Sequence, residues 1–397
     1  MQHRNLPGVL ASPLTLLALA LGAQPLTAHA DADGVSFHAV YTGEPISNLS
    51  GGLQTGGTYL DNLDLQISAE RGSIFGIPGL SGLIYGLYNN SKEFSSEYVG
   101  DLHVVSNIDA PRAWRLFEAW LDWATADERF SVRAGLYDLN SEFDVSETGG
   151  LFLNSAHGMG TDYAQSGLNG PSSFPVSSLA LRVQTAIGEG GYAQFAVMDG
   201  VPGDPDDPES NEIDLSGDDG ALIAAEFGWS GGDWRKLAVG GWLYTGDFSS
   251  LVDPEGPEDD GNEGWYAIAD RVVWRGDSAT GSAFLRVGQA DGEFNVVRSY
   301  VGFGGMLEGF SASRPDDAVG IAVAHGRTGK DFRNSRAFED LRTDRHETTL
   351  ELTYRAQITD WLAIQPDFQY VWNPGADPAL DDAVVVSLRF EISYSIE

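Results

Sequence analysis

"TTLELTYRAQITDWLAIQPDFQYVW", residues 348 to 372, alternates twice around a two-residue break. In an extended strand Leu350, Leu352, Tyr354, Ala356 and Ile358 take one face, and Thr349, Glu351, Thr353, Arg355 and Gln357 take the other. Beyond Thr359 and Asp360, Leu362, Ile364, Phe368, Tyr370 and Trp372 oppose Gln365, Asp367 and Gln369. The chain ends the same way in "VVVSLRFEISYSIE" (384–397), with Leu388, Phe390 and Ile392 against Arg389 and Glu391. Such polar faces are hard to bury in a core. They fit a sheet that is wet on one side: a soluble sheet over a core, or a membrane barrel over water.

The alternation recurs along the whole chain, with almost no helical periodicity after the first 30 residues. Strands are expected near 35–43, 62–70, 82–90, 115–124, 130–137, 179–187, 191–199 and 220–230, then 234–245, 263–275, 280–290, 297–304, 317–326, 346–358, 361–373 and 383–396. Their connections alternate in length. Tight turns fall at 126–128, 188–190, 230–233, 275–278 and 359–360, and long links at 91–114, 138–178, 200–219, 246–262, 327–345 and 374–382. Two connections, 71–81 and 305–316, are longer than this rhythm asks. An even strand count with short turns on one side and long loops on the other predicts an all-β transmembrane antiparallel barrel of about 16 strands, with short periplasmic turns and long extracellular loops. Only helices and closed barrels cross hydrocarbon, because every backbone polar group there must be paired within the protein. A barrel of this size leaves a water-filled lumen.

Residues 1–30 read as a secretory signal peptide: Arg4 supplies a positive start, "LTLLALALGA" (14–23) an apolar run too short to span, and "AHA" (28–30) a cleavage site. Residues 31–397 are then expected to form one barrel domain in the bacterial outer membrane. The chain carries 23 Lys and Arg against 58 Asp and Glu, net −35, which excludes a nucleic-acid binder. The acid gathers in the links: nine carboxylates in 199–219 and six in 253–263, segments expected to stay solvated. Trp114, Trp120, Trp123, Trp229, Trp265, Trp274, Trp361, Tyr370 and Trp372 lie near strand ends, as in an interfacial aromatic girdle.

The stretch "VRAGLYDLNSEFDVSETGGLFLNSAHGMG" (132–160) resembles the carbohydrate-selective outer-membrane porins of the OprB family. The resemblance continues through "NGPSSFPVSSLALRV" (169–183), "YAQFAVMDGVPGDP" (192–205), "SRPDDAVGIAVAHG" (313–326) and residues 351–391. It implies a sixteen-stranded barrel that carries sugars into the periplasm by facilitated diffusion. Such barrels usually finish on an aromatic residue, whereas this chain runs past Phe390 and Tyr394 to "SIE".

The longest link, 138–178, is long enough to fold into the lumen and narrow it. Arg133 and Arg182 are expected on the inward faces of the strands that hold it, with Asp138, Asn140, Glu142 and Phe143 following along the loop. Charged groups bind sugar hydroxyls strongly and an aromatic ring covers the apolar sugar face, so these residues form the expected eyelet. Their pairing with one another to hold the loop is the competing expectation. Arg286, Arg355, Arg389, Glu351 and Glu391 are expected along the lumen wall.

The alternatives are a general small-solute pore and a secreted β-sandwich that binds glycans. Catalysis is not indicated, because Ser155 and His157 lie two apart without a positioned acid. No histidine spacing suits a metal, and no cofactor is expected. The expected partners are carbohydrate solutes, outer-membrane lipid and lipopolysaccharide, and the barrel-assembly machinery, with the chain a monomer or homotrimer.

Overall fold

The computed structural model describes residues 34–204, 207, 220–256 and 259–396, with backbone alone at 259 and 260. The expected signal peptide, most of the acidic segment 199–219, residues 257 and 258 of the second acidic segment, and Glu397 lie outside the described residues.

Sixteen strands form one closed antiparallel barrel. The first eight are β1 (Val35–Ser50), β2 (Gly56–Ala69), β3 (Leu80–Asn90), β4 (Ala113–Ala124), β5 (Phe130–Tyr137), β6 (Ser178–Ile187), β7 (Gly191–Asp199) and β8 (Ala221–Gly231). The rest are β9 (Trp234–Phe248), β10 (Asp259–Arg275), β11 (Thr280–Ala290), β12 (Val297–Glu308), β13 (Ala318–Thr328), β14 (His346–Thr359), β15 (Leu362–Trp372) and β16 (Ala383–Ile396). Each strand pairs with its neighbours in sequence, and β1 closes the ring on β16, with Tyr41 opposite Ile392. Every expected strand is present. No helix among the described residues is long and apolar enough to cross a membrane, so any crossing is made by strands.

The two faces separate by charge as the alternation demands. On β14 to β16, Leu352, Phe368, Leu388 and Ile392 are exposed on the outside, while Glu351, Gln369 and Arg389 are buried on the inside. An outward belt of apolar side chains lowers free energy in hydrocarbon, whereas the inward polar groups need partners within the lumen. The loops entering from one rim supply those partners.

Register shifts interrupt several ladders, and one of them changes which side chains face outward. In β4 a bulge at Phe117 interrupts the pairing with β3, between Glu118 opposite Tyr85 and Leu116 opposite Gly86. Trp114 and Leu116 therefore face outward before the bulge, and Leu121 and Trp123 after it. This flip corrects the expected girdle: Trp120 turns inward, while Trp114, Trp123, Trp229, Trp265, Trp274, Trp361 and Trp372 are exposed. The two overlong turns, between β2 and β3 and between β12 and β13, leave the ladders intact, with Ala69 opposite Gly82 and Glu308 opposite Ala318.

Candidate functional site in the barrel lumen

The link from Asp138 to Ser177 leaves β5 and returns to β6 by way of four helical turns, among them α1 (Thr161–Ala164). Its first fixed point is a cluster of charge. Arg182 on β6 donates to Glu142 from Nε at 2.7 Å and from Nη2 at 2.9 Å, and to Asp122 on β4 at 3.0 Å. Arg133, directly opposite Arg182 across β5 and β6, lies 3.4 Å from both Asp122 and Glu142. Its guanidinium stacks over the inward Trp120 at 3.9 Å. Tyr137 donates its hydroxyl to Glu142 at 2.5 Å. Burial alone would raise the Glu142 carboxyl, but Arg133 and Arg182 outweigh it and hold the group down at about 2.

Farther along, the same loop is held on the opposite wall. The backbone N–H of Asp144 donates to Glu226 on β8 and to the Tyr266 hydroxyl on β10, both at 3.1 Å. Arg286 on β11 grips the Asp144 carboxylate with Nε at 3.1 Å and Nη2 at 2.8 Å, and pairs with Asp162 through Nη1. Asp270 on β10 accepts from the Thr148 amide at 2.8 Å and its hydroxyl at 2.5 Å. Glu351 on β14 accepts the amides of Leu153 at 2.6 Å and Asn154 at 3.1 Å. A segment bonded to β5, β6, β8, β10, β11 and β14 of one ring runs across the lumen.

A second loop, 91–112, meets it there. Its Leu102 and His103 amides donate to Glu347 on β14, and Ser106 donates to Glu44 on β1 at 3.1 Å. Arg389 on β16 binds the same Glu44 oxygen at 2.7 Å. The two loops join by backbone bonds, Asn107 to Leu153 at 2.7 Å and Ser155 to Val104 at 2.9 Å. His103 and His157 are fully enclosed, and burial lowers both to about 3, so both are neutral at pH 7.

Of the expected eyelet residues, the structure brings Arg133, Arg182 and Glu142 together. Asp138 instead caps the loop start, its carboxylate accepting from the Asn140 amide at 2.9 Å, and Asn140 donates to the Phe143 and Gly158 carbonyls. Burial, then the charge of Glu118, pushes the Asp138 carboxyl well above the usual range. Phe143 corrects one expectation: it has no exposed surface and packs with Leu139, Tyr163 and Tyr266, so it offers no ring to a passing sugar. Arg286, Glu351 and Arg389 face inward but are consumed by the loops.

Water reaches a different set. Arg355 pairs with Glu391 at 2.7 Å, with side chains 17% and 20% exposed. Arg235 bridges Glu147 at 2.5 Å and Glu308 at 2.9 Å, all partly exposed, and Lys236 lies 2.9 Å from Glu226. Arg355, Glu391, Arg235 and Glu308 lie near the short-turn ends of their strands, Glu147 comes from the crossing loop, and Glu226 is itself enclosed. The wall acids Asp122, Glu226, Asp270 and Glu347 were not singled out from the sequence, the link 91–114 was given no place in the lumen, and Trp120 was expected in the girdle. The only signal of the acids there is their place on the inward face of a strand. Among the described residues, no group of His, Asp and Glu is placed to hold a metal ion.

Residues 54–394 match the carbohydrate-selective porin family, OprB. The chain belongs to this family. Porin B of Pseudomonas aeruginosa is 25% identical over 401 residues, covering 91% of this chain and 88% of that protein. The high-pH structure of Pseudomonas putida OprB superposes with a TM-score of 0.80 at 23% identity, covering 91% and 94% of the two chains. The low-pH structure of the same protein gives 0.58 at 18% identity. The protein is thus an outer-membrane carbohydrate porin, and its family and fold are those of a channel rather than an enzyme.

Proposed function

We propose that the loops 138–177 and 91–112 form the constriction of this porin, and that sugars pass it by facilitated diffusion into the periplasm. The observation that carries this reading is the run of bonds from one loop to six strands around the ring, which narrows the bore to the space the loops leave. Arg133, Arg182 and Glu142 act as its frame, because their charges satisfy one another and fix where the loop lies. The sugar-binding wall is the partly exposed set Arg355, Glu391, Arg235, Glu147 and Glu308. Their carboxylates accept from sugar hydroxyls and their guanidinium groups donate, with the fixed geometry that charge-assisted bonds reward. Residues 1–30 direct export and are removed.

The test is planar-bilayer conductance of the purified barrel, titrated with mono- and oligosaccharides. Sugar-dependent reduction of the ion current is expected, weakened by Arg355→Ala and Glu391→Gln. A current that no sugar reduces would make this a general small-solute pore.

A further inference from the structure

On the outside of the barrel, at the rim where the long loops leave, positive charge gathers against the trend of the chain. Six of its 23 Lys and Arg fall between residues 327 and 345, around α2 (Lys330–Phe338). Arg327 ends the outward row of β13 that begins with Val319, Ile321 and Val323, and it pairs in register with His346 on β14. On its other side it pairs with Ser299 on β12, next to Arg298. Arg345 immediately precedes His346, and the His325 and His346 rings lie 5.3 Å apart on the same face. Arg333 of α2 donates to the hydroxyl of the neighbouring Thr328 at 3.0 Å.

Among the described residues, Arg298, Arg327, Arg333 and Arg345 form no ion pair, although the chain holds more than twice as many acids as bases. They act on one another instead: burial, then the charges of Arg345, Arg327 and Arg298, lower the Arg333 guanidinium, with Asp331 partly offsetting them. Like charges held together with only partial counter-charge leave a standing demand for an anion.

Beside the cluster, a groove of about 750 Å³ runs down the outer wall. Ala225 and Gly241 pair side by side and make a dent flanked by Ile223, Leu243 and Trp265, all on the outward face. The groove rises to Arg298 and Lys330. Four carboxylates, Glu263, Asp291, Glu293 and Asp331, also border it, so the anion's place is over Arg298, Arg327 and Arg345 rather than in the groove itself.

We infer that this rim is a binding site for a phosphorylated glycolipid of the outer leaflet, with its phosphate on Arg298, Arg327, Arg333 and Arg345 and an acyl chain along the Ala225–Gly241 groove. The inference rests on the long loops lying outside, and it is separable from the sugar path because none of these residues belongs to the constriction or to the partly exposed lumen pairs, although Arg345 pairs with the inward Thr328 at the very end of the ladder. Arginine suits the task, since its planar fork matches phosphate oxygens. An amphiphile also joins the two features, cations above and a lipid-facing dent below, which a soluble anion would not.

The test is native mass spectrometry of the intact barrel in detergent, titrated with bisphosphorylated lipid A. Its controls are the same lipid with its phosphates removed, phosphatidylglycerol, and inorganic phosphate. Phosphate-dependent lipid binding is expected. It should weaken about fivefold for each single Arg→Gln change at 298, 327 or 345, and about a hundredfold for all three. The Arg→Lys triple variant should retain most of the affinity, and Arg314→Gln, whose native side chain pairs with Asp317 on the opposite rim, all of it. Sugar-dependent conductance should be unchanged in every variant. Equal binding of the dephosphorylated lipid, equal binding of phosphatidylglycerol, binding of inorganic phosphate alone, or an unaffected triple variant would each overturn the assignment.

Discussion

Replacing Arg286 by methionine removes the cation that holds the middle of the crossing loop. The native side chain is buried, grips Asp144 with two nitrogens and pairs with Asp162, both of them buried. Methionine keeps the stem but loses the guanidinium's place over the Tyr266 and Tyr300 rings and leaves two carboxylates without a counter-charge. Breaking a buried pair from one side costs roughly 3 to 5 kcal/mol. The barrel ladder is untouched, so the loss falls on the loop's own equilibrium between docked and lifted. At about 1.4 kcal/mol per tenfold, the lifted population rises by roughly a hundredfold to several thousandfold. Hydrogen exchange of the amides in 141–166, followed by mass spectrometry on the barrel in detergent, reads this directly. Adding Asp144→Asn and Asp162→Asn should recover much of the protection, because the orphaned charges are then gone. Acid should also help the single variant. Burial, opposed by Arg286, already holds Asp162 up at about 6, and the group protonates more readily once the arginine is lost. Unchanged exchange in Arg286→Met, or a triple variant no better than the single one, would refute the reasoning.

Glu142, held down at about 2 from its ordinary 4.5, contributes loop stability that is complete above about pH 4.5 and lost as pH falls toward 2. Emission from Trp120, stacked under Arg133, should change over that window in the native chain and not in Glu142→Gln. Gly135→Ala should destabilise the barrel, because the glycine has φ +139° and an added Cβ would come within 2.1 Å of the Ala119 carbonyl oxygen; a loss of more than about 1 kcal/mol is expected, seen as a lower temperature of heat-induced mobility change. Tyr266→Phe removes the hydroxyl shared by Glu226 and the Asp144 amide, and should cost the loop about 1 to 3 kcal/mol by the same exchange measurement.

The strands were legible because lipid on one side and water on the other enforce a period of two, as Leu352, Phe368 and Leu388 show against Glu351, Gln369 and Arg389. Trp120 was misplaced because a bulge is a one-residue event that leaves no mark in composition, and β4 reads as continuous alternation on either side of Phe117. The frame of Arg133, Arg182 and Glu142 was visible, since two strands and the loop between them are close in sequence. Glu226, Asp270, Glu347 and Glu351 were not assigned their loop partners, because the residues they bind lie 82 to 245 positions away. Phe143 failed for a related reason: a ring in a polar loop looks available until its neighbours from β10 are in place.

The wall acids hold the crossing loops by their peptide N–H groups. Glu347 takes Leu102 and His103, Glu351 takes Leu153 and Asn154, and Asp270 takes Thr148. Every amino acid but proline carries that donor. The identity of a side chain at 102 or 153 can therefore drift without unmooring the loop, while proline at either place would cut it loose. The porin thus separates where its filter sits from what its filter displays, and new solute preferences are open to it by loop substitution on a fixed mount.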